Sequence, residues 1–156
     1  MPRVERQIII QAPVETVFNY LADFSRHPEW ARNRLRIEQT PGGTVAAGVT
    51  FRSAAGMWGG IRRDEVTVVE FVPNSKIAFE AVGAFGHHRQ ELVLDDQGGR
   101  TRLRKSQEPL GLPSHVPFAL AVFGRLPPSL QKLVIGRILE GDLRRIKARV
   151  EVEAVK

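Results

Sequence analysis

His88, Gln90, Lys105 and Asp142 are the residues whose types and spacing can support chemistry in an enclosed site. Alternate side chains of an extended strand share a face. A strand starting at His87 therefore sends His88, Gln90, Leu92 and Leu94 one way. A strand starting at Arg100 sends Thr101, Leu103, Lys105 and Gln107 one way. An imidazole there can serve as the base that forms an enolate, and a nearby cation can polarise a carbonyl. His88 is the candidate base, or His87 if the register slips by one residue. Arg63 or Lys105 is the candidate cation. A solvent-facing histidine pair near a strand end is the plainer alternative. Asp142 falls near the middle of an apolar helical arc, where a carboxylate must be paired, neutralised or turned to a wet cavity. Arg145 and Arg149, at i+3 and i+7, can each pair with it, and a structural salt bridge is the simpler account. His27 and His115 sit in expected loops and take no role.

Other chemistries lack their residues. There is no cysteine, so no disulfide, thiolate metal site or cysteine nucleophile. The histidines stand at 27, 87, 88 and 115, without a helical i, i+4 pair, and no metal site is expected. No phosphate loop, dinucleotide fingerprint or nucleophile elbow occurs, and no cofactor is expected. Gly56-Met57-Trp58-Gly59-Gly60 is glycine-rich but lacks the lysine and helix of a phosphate cradle.

The elements that must position these residues begin with Ile8-Ile9-Ile10, β-branched and strand-favouring. Pro13 ends that strand and suits the first turn of a helix, and Glu15 complements the helix dipole. Val14, Val17, Phe18 and Leu21 form one apolar helix face. His27-Pro28 breaks the helix, and Glu29-Trp30 begins a short second one. Trp30 is large enough to plug the space beneath a curved sheet, although core packing alone accounts for it.

The pattern then turns to strands. They are expected at 34–38, 49–53, 62–72, 76–82, 87–94 and 100–108. Turn signals separate them at Pro41-Gly42-Gly43, 56–60, Pro73-Asn74-Ser75, 83–86 and 95–99. Short connections imply an antiparallel meander. The segment 109–128 holds five prolines and the apolar run 116–123, too short to span a bilayer. It is a packed connector, a short helix over a cavity mouth, an oligomer contact or a membrane-surface touch point. Ser129 then caps a helix over 129–150, about 33 Å long. Its apolar arc holds Val134, Ile135, Ile138, Leu139, Leu143, Ile146 and Val150. Gly141, also inward, brings the helix close to the sheet or leaves room for a ligand.

With 156 residues and a net charge of +6, one domain over 1–156 with a real core is expected. No 18-residue apolar stretch or signal-peptide pattern occurs, so a cytoplasmic protein is expected. The basic residues are interleaved with acidic ones and not with aromatics, so nucleic acid is not an expected partner.

The string Ile10-x-Ala12-Pro13-x-Glu15-x-Val17-Phe18-x-Tyr20-Leu21-x-Asp23-Phe24, followed by Pro28-Glu29-Trp30, resembles the SRPBCC superfamily of START, polyketide cyclase and birch-pollen-allergen-like proteins. Segments 68–80 and 139–147 support the likeness, which is strongest to the bacterial polyketide cyclase/dehydrase-type proteins. The resemblance implies an α+β helix-grip fold: a seven-stranded antiparallel sheet wrapped around a long C-terminal helix, with two short helices after strand 1. It implies an apolar cavity between sheet and helix, and it carries no universal catalytic motif. The expected cavity residues are Trp30, Phe51, Trp58, Phe79, His88, Gln90, Leu92, Leu103, Lys105, Ile135, Ile138, Leu139 and Asp142. That set suits a small hydrophobic, polyketide-like or lipid-like ligand. The alternatives are a cyclase or dehydratase, and an accessory protein touching membrane or another protein through 116–123. A monomer or homodimer is expected.

Overall fold

The isoleucine run closes strand β1 (Val4–Ile10), and Pro13 stands as the N-cap of helix α1 (Val14–Ala22). In this computed structural model, residues 3–31, 36–39, 45–57, 60–83, 86–113, 115–116 and 118–155 are described. Val17, Phe18, Tyr20 and Leu21 are the buried face of α1. Asp23 accepts a hydrogen bond from the Ser25 amide and starts a 3-10 helix over Phe24–Glu29, with Pro28 inside it. The second short helix thus comes before Trp30 rather than beginning at Glu29. Trp30 is its C-cap, and the Trp30 amide donates to the His27 carbonyl.

The strands follow as β2 (Arg36–Gln39), β3 (Thr50–Met57), β4 (Gly60–Val72), β5 (Lys76–Gly83), β6 (Gly86–Asp96) and β7 (Thr101–Gly111). They lie in the order β1-β7-β6-β5-β4-β3-β2, each pair antiparallel. β2 is a four-residue edge segment with a register shift, beside six longer strands. Gly98 and Gly99, at φ +74° and +86°, supply the left-handed backbone that the β6–β7 tip requires. The glycine-rich segment 56–60 is mostly strand: β3 runs to Met57 and β4 starts at Gly60. β7 outruns its expected end and takes Pro109 into the sheet. Pro109 has no amide hydrogen, and it is tolerated because β1 pairing stops at Gln107. A register shift between His87 and His88 accommodates it on β6.

Helix α2 (Phe118–Gly124) follows, then α3 (Pro128–Ala154). Ser129 is not the cap: Pro127 is the N-cap, Pro128 occupies the first turn, and no side chain caps the helix. α3 also runs a turn past Val150. Ile135, Leu139, Leu143, Ile146 and Val150 are buried as the arc requires, but Val134 is exposed, because it lies outside the buried arc that Gln131, Ile135 and Gly136 begin, on the side of exposed Leu130 and Leu133. Gly136 makes the close approach: a Cβ there would strike the Arg6 guanidinium of β1, whereas one on Gly141 would meet only Arg145 of its own helix. Farther along, Lys147 donates to the Ile9 carbonyl (2.9 Å) and Glu151 accepts the Gln11 amide (3.0 Å). The fold is an α+β antiparallel sheet closed on a long C-terminal helix, the helix-grip arrangement. No helix among the described residues is long and apolar enough to cross a membrane.

Candidate functional site

Register builds the site wall. Phe51 pairs with Val66, Val66 with Ala81 and Ala81 with His88, one row across four strands. Phe79 pairs with Gln90 and Gln90 with Gln107, a second row. Ser53 opposite Asp64 extends the wall on β3 and β4. His27, Trp30 and Ala31 close it from the 3-10 segment, and Ile138 and Asp142 close it from α3. The cavity they enclose is about 170 Å³. For scale, a cavity of about 150 Å³ admits one benzene ring.

The wall is apolar at Trp30, Phe51, Val66, Phe79, Ala81 and Ile138, and beside the polar side chains His27, Ser53, Asp64 and Gln107 it carries one connected polar group. Lys105 is 2% exposed and Asp142 is 5% exposed. Lys105 Nζ lies 3.2 Å from Asp142 Oδ2 and donates to Gln90 Oε1 at 2.9 Å. Gln90 Nε2 is 3.4 Å from His88 Nε2. On the helix side Arg145 Nη2 donates to Asp142 Oδ1 at 2.6 Å, and its Nε donates to the Trp30 carbonyl at 2.6 Å. The Lys105 ammonium also lies 5.7 Å from the centre of the Trp30 ring, within cation–π range. A buried carboxylate with two cationic partners, and a buried ammonium with a carboxylate and an amide, are the compensation that such burial demands.

Trp30 is held from both sides. Arg26 pairs with Glu29 at 2.8 Å and with Glu153 of α3, and the Tyr20 hydroxyl donates to Glu29 at 3.1 Å. Burial and the Glu29 charge push the Tyr20 hydroxyl well above its ordinary range, while the Arg26 hydrogen bond holds Glu29 below the usual carboxylate range. The Arg149 charge bears on Tyr20 and Glu29. His27, 3% exposed, packs its ring against Phe24 and Trp30 (centroids 4.2 and 4.7 Å). Burial lowers its pKa to about 4. It is therefore neutral at pH 7, and its Nε2 donates to the Leu21 carbonyl at 3.0 Å.

Of the expected residues, Trp30, Phe51, Phe79, His88, Gln90, Lys105, Ile138 and Asp142 line the cavity. Leu92 and Leu103 face the same side but lie in the core, away from the cavity wall. Ile135 and Leu139 belong to a separate cluster with Val4 and Phe123. Trp58 lies outside the described residues. His87 faces away from the cavity and meets Glu80 Oε2 at 2.8 Å. Arg63 is exposed on the face opposite its neighbour Asp64, beside Arg52 and Glu65. The wall residues His27, Ala31, Ile37, Ser53, Asp64 and Val66 were not anticipated. Alternation from Phe51 reaches Ser53, and alternation within 62–72 reaches Asp64 and Val66. His27 carries no such signal, because a 3-10 turn decides its direction. Among the described residues no group of acidic and histidine side chains is arranged to hold a metal ion.

Residues 1–151 match the family described as polyketide cyclase / dehydrase and lipid transport. Three solved structures share the fold. A START superfamily protein from Mycobacterium smegmatis is 19% identical, with a TM-score of 0.71 over 96% of this chain and 97% of that one. A protein from Chromobacterium violaceum is 16% identical, with a TM-score of 0.69 over 96% of both chains. The Zhui aromatase/cyclase from Streptomyces sp. R1128 is 18% identical, with a TM-score of 0.66 over 96% of this chain and 93% of that one. At these identities the likeness shows the fold alone. No curated protein matches the chain in sequence.

Proposed function

The chain belongs to the polyketide cyclase / dehydrase and lipid transport family, and from that premise we propose that it binds a small, partly aromatic ligand bearing a carbonyl or hydroxyl oxygen. One observation carries this reading: a cavity of about 170 Å³, walled in part by aromatic and aliphatic side chains, holds a buried, hydrogen-bonded ammonium, Lys105 with Gln90 and Asp142. Trp30, Phe51, Phe79 and Ile138 would take the apolar body of the ligand. Lys105 has three protons, and Gln90 and Asp142 occupy two of them. The third would meet the ligand oxygen. The volume favours one ring inside, with the remainder of a longer ligand reaching past the half-exposed His88 and Gln107.

Native mass spectrometry of the purified protein, with titration against a panel of aromatic ketones, phenols and fatty acids, tests the reading. A co-purified mass, or saturable binding that Lys105→Met weakens at least about tenfold, is expected. No adduct and no binding across the panel overturns it.

A second reading is catalytic. His88 stands on the wall beside Gln90, which also accepts from Lys105. A carbonyl oxygen on Lys105 would place the carbon acids of a polyketide-like chain near an imidazole base, the arrangement an aldol-type cyclisation uses. His88 would take the α-proton, and the Lys105 ammonium would stabilise the negative charge that develops on the carbonyl oxygen as it becomes an enolate. With a poly-β-keto thioester as probe, His88→Gln should abolish turnover and leave binding intact. Unchanged turnover in that variant removes His88 as the base.

A further inference from the structure

The carboxylates of this chain avoid one region. All 17 Asp and Glu residues lie outside 109–139, where the ionisable side chains are His115, Arg125, Lys132 and Arg137. Arg125, Lys132 and Arg137 enter no ion pair with a described residue. Most of the exposed large apolar side chains among the described residues fall in the same run. Phe118 is 85% exposed and Leu112 is 75% exposed, and Val116, Val122, Leu130 and Val134 are also exposed.

These side chains form one surface. Gln131 Nε2 donates to the Phe123, Gly124 and Leu126 carbonyls, which fastens the end of α2 to the first turn of α3. On α3, Leu130, Leu133, Val134 and Arg137 stand at i, i+3, i+4 and i+7, one helix face. Ile138, one turn beyond Val134, is already on the cavity wall. At the other side, Gly86 lies so close to Gly111 and Pro113 that an added Cβ would press on both. The connector therefore leaves the sheet beside the His88 end of the cavity. An exposed apolar run whose charged side chains between 109 and 139 are all basic thus starts beside the cavity, with Glu108 and Glu140 at its borders.

We propose that this surface docks on an anionic lipid bilayer. Phe118 and Val122 enter the boundary between headgroups and acyl chains, while Arg125 and Arg137 meet lipid phosphates. The charge selects this occupant over a second copy of the chain. A two-fold contact through this face would set Arg125, Lys132 and Arg137 against their own copies.

The test uses the full chain and flotation with vesicles, either of phosphatidylcholine alone or of equal parts phosphatidylcholine and phosphatidylglycerol. Salt-sensitive binding to the anionic vesicles, and weaker binding to the neutral ones, is expected. Arg125→Gln and Arg137→Gln should each weaken binding about fivefold. Phe118→Asp should weaken it at least about tenfold without changing the melting temperature, since that side chain is exposed. Three results overturn the proposal: no binding to anionic vesicles at low salt, binding unchanged in Phe118→Asp, or a vesicle-free dimer that Phe118→Asp dissociates. The readout needs no cavity ligand, so its failure leaves the cavity reading untouched.

Discussion

Strands β6 and β7 carry charged groups on both faces, and the two faces obey opposite rules. On the outer face Glu70 meets both Lys76 (2.7 Å) and Arg89 (2.8 Å), and Glu91 meets both Arg89 (2.9 Å) and Arg3 (3.2 Å). Several of these side chains remain well solvated, and each retains a partner if one is removed. On the inner side Lys105 of β7 and Asp142 of α3 are buried against each other. The same residue types thus form a redundant surface lattice outside and an interdependent centre inside. A buried charged pair gives little net stability over apolar residues of similar size. Its presence at a cavity wall therefore points to a task other than holding the fold.

Four changes break or sharpen this contrast. The largest effect is expected from Asp142→Ala, which strands the Lys105 ammonium in the core; chemical denaturation should show a loss of about 3–5 kcal/mol. Next is the pH response of His27. Its folded pKa of about 4 lies below its ordinary value of 6.5, so the unfolded state takes up a proton in this window that the native state refuses. The His27 contribution is whole above pH 6.5 and falls by about 3 kcal/mol as the pH drops to 4. In His27→Gln this part of the stability–pH curve should flatten, and a curve as steep as wild type would assign the acid loss elsewhere. Third, the double variant Lys105→Met, Asp142→Leu replaces the pair with apolar bulk. It should melt within a few degrees of wild type or above it, yet lose binding of the aromatic ketone and phenol panel. Severe destabilisation would mean that the pair is structural after all. Last, Glu70→Gln on the outer face should cost less than about 1 kcal/mol, and a larger loss would erase the contrast.

Much of this site can be read from the chain. Strand alternation is local, so His88, Gln90 and Lys105 share a face as their spacing predicts. Helical spacing likewise finds Arg145 beside Asp142. The same spacing proposes Arg149, whose charge bears on Tyr20 and Glu29 instead, and it is silent on Lys105, because that partner arrives from a strand distant in sequence. Alternation gives a face but not a depth. Leu92 and Leu103 point inward as expected, yet they pack into solid core, while Gln90 two positions from Leu92 meets open space. His27 is the hardest residue to foresee. Its burial depends on a 3-10 turn whose direction is set by the aromatic rings that receive it.

Helix α3 also has a role at the rim of the sheet. β1 is an outermost strand, and its free side presents backbone groups that any extended segment of another chain could pair with. Lys147 occupies the Ile9 carbonyl, and Glu151 occupies the amide of Gln11 just beyond the strand. Arg6, anchored to Glu140 at 3.2 Å, covers the same flank. The helix that closes the cavity thereby also shields the strand at which intermolecular sheet growth would start, and detaching it would expose the chain to aggregation as well as emptying the site.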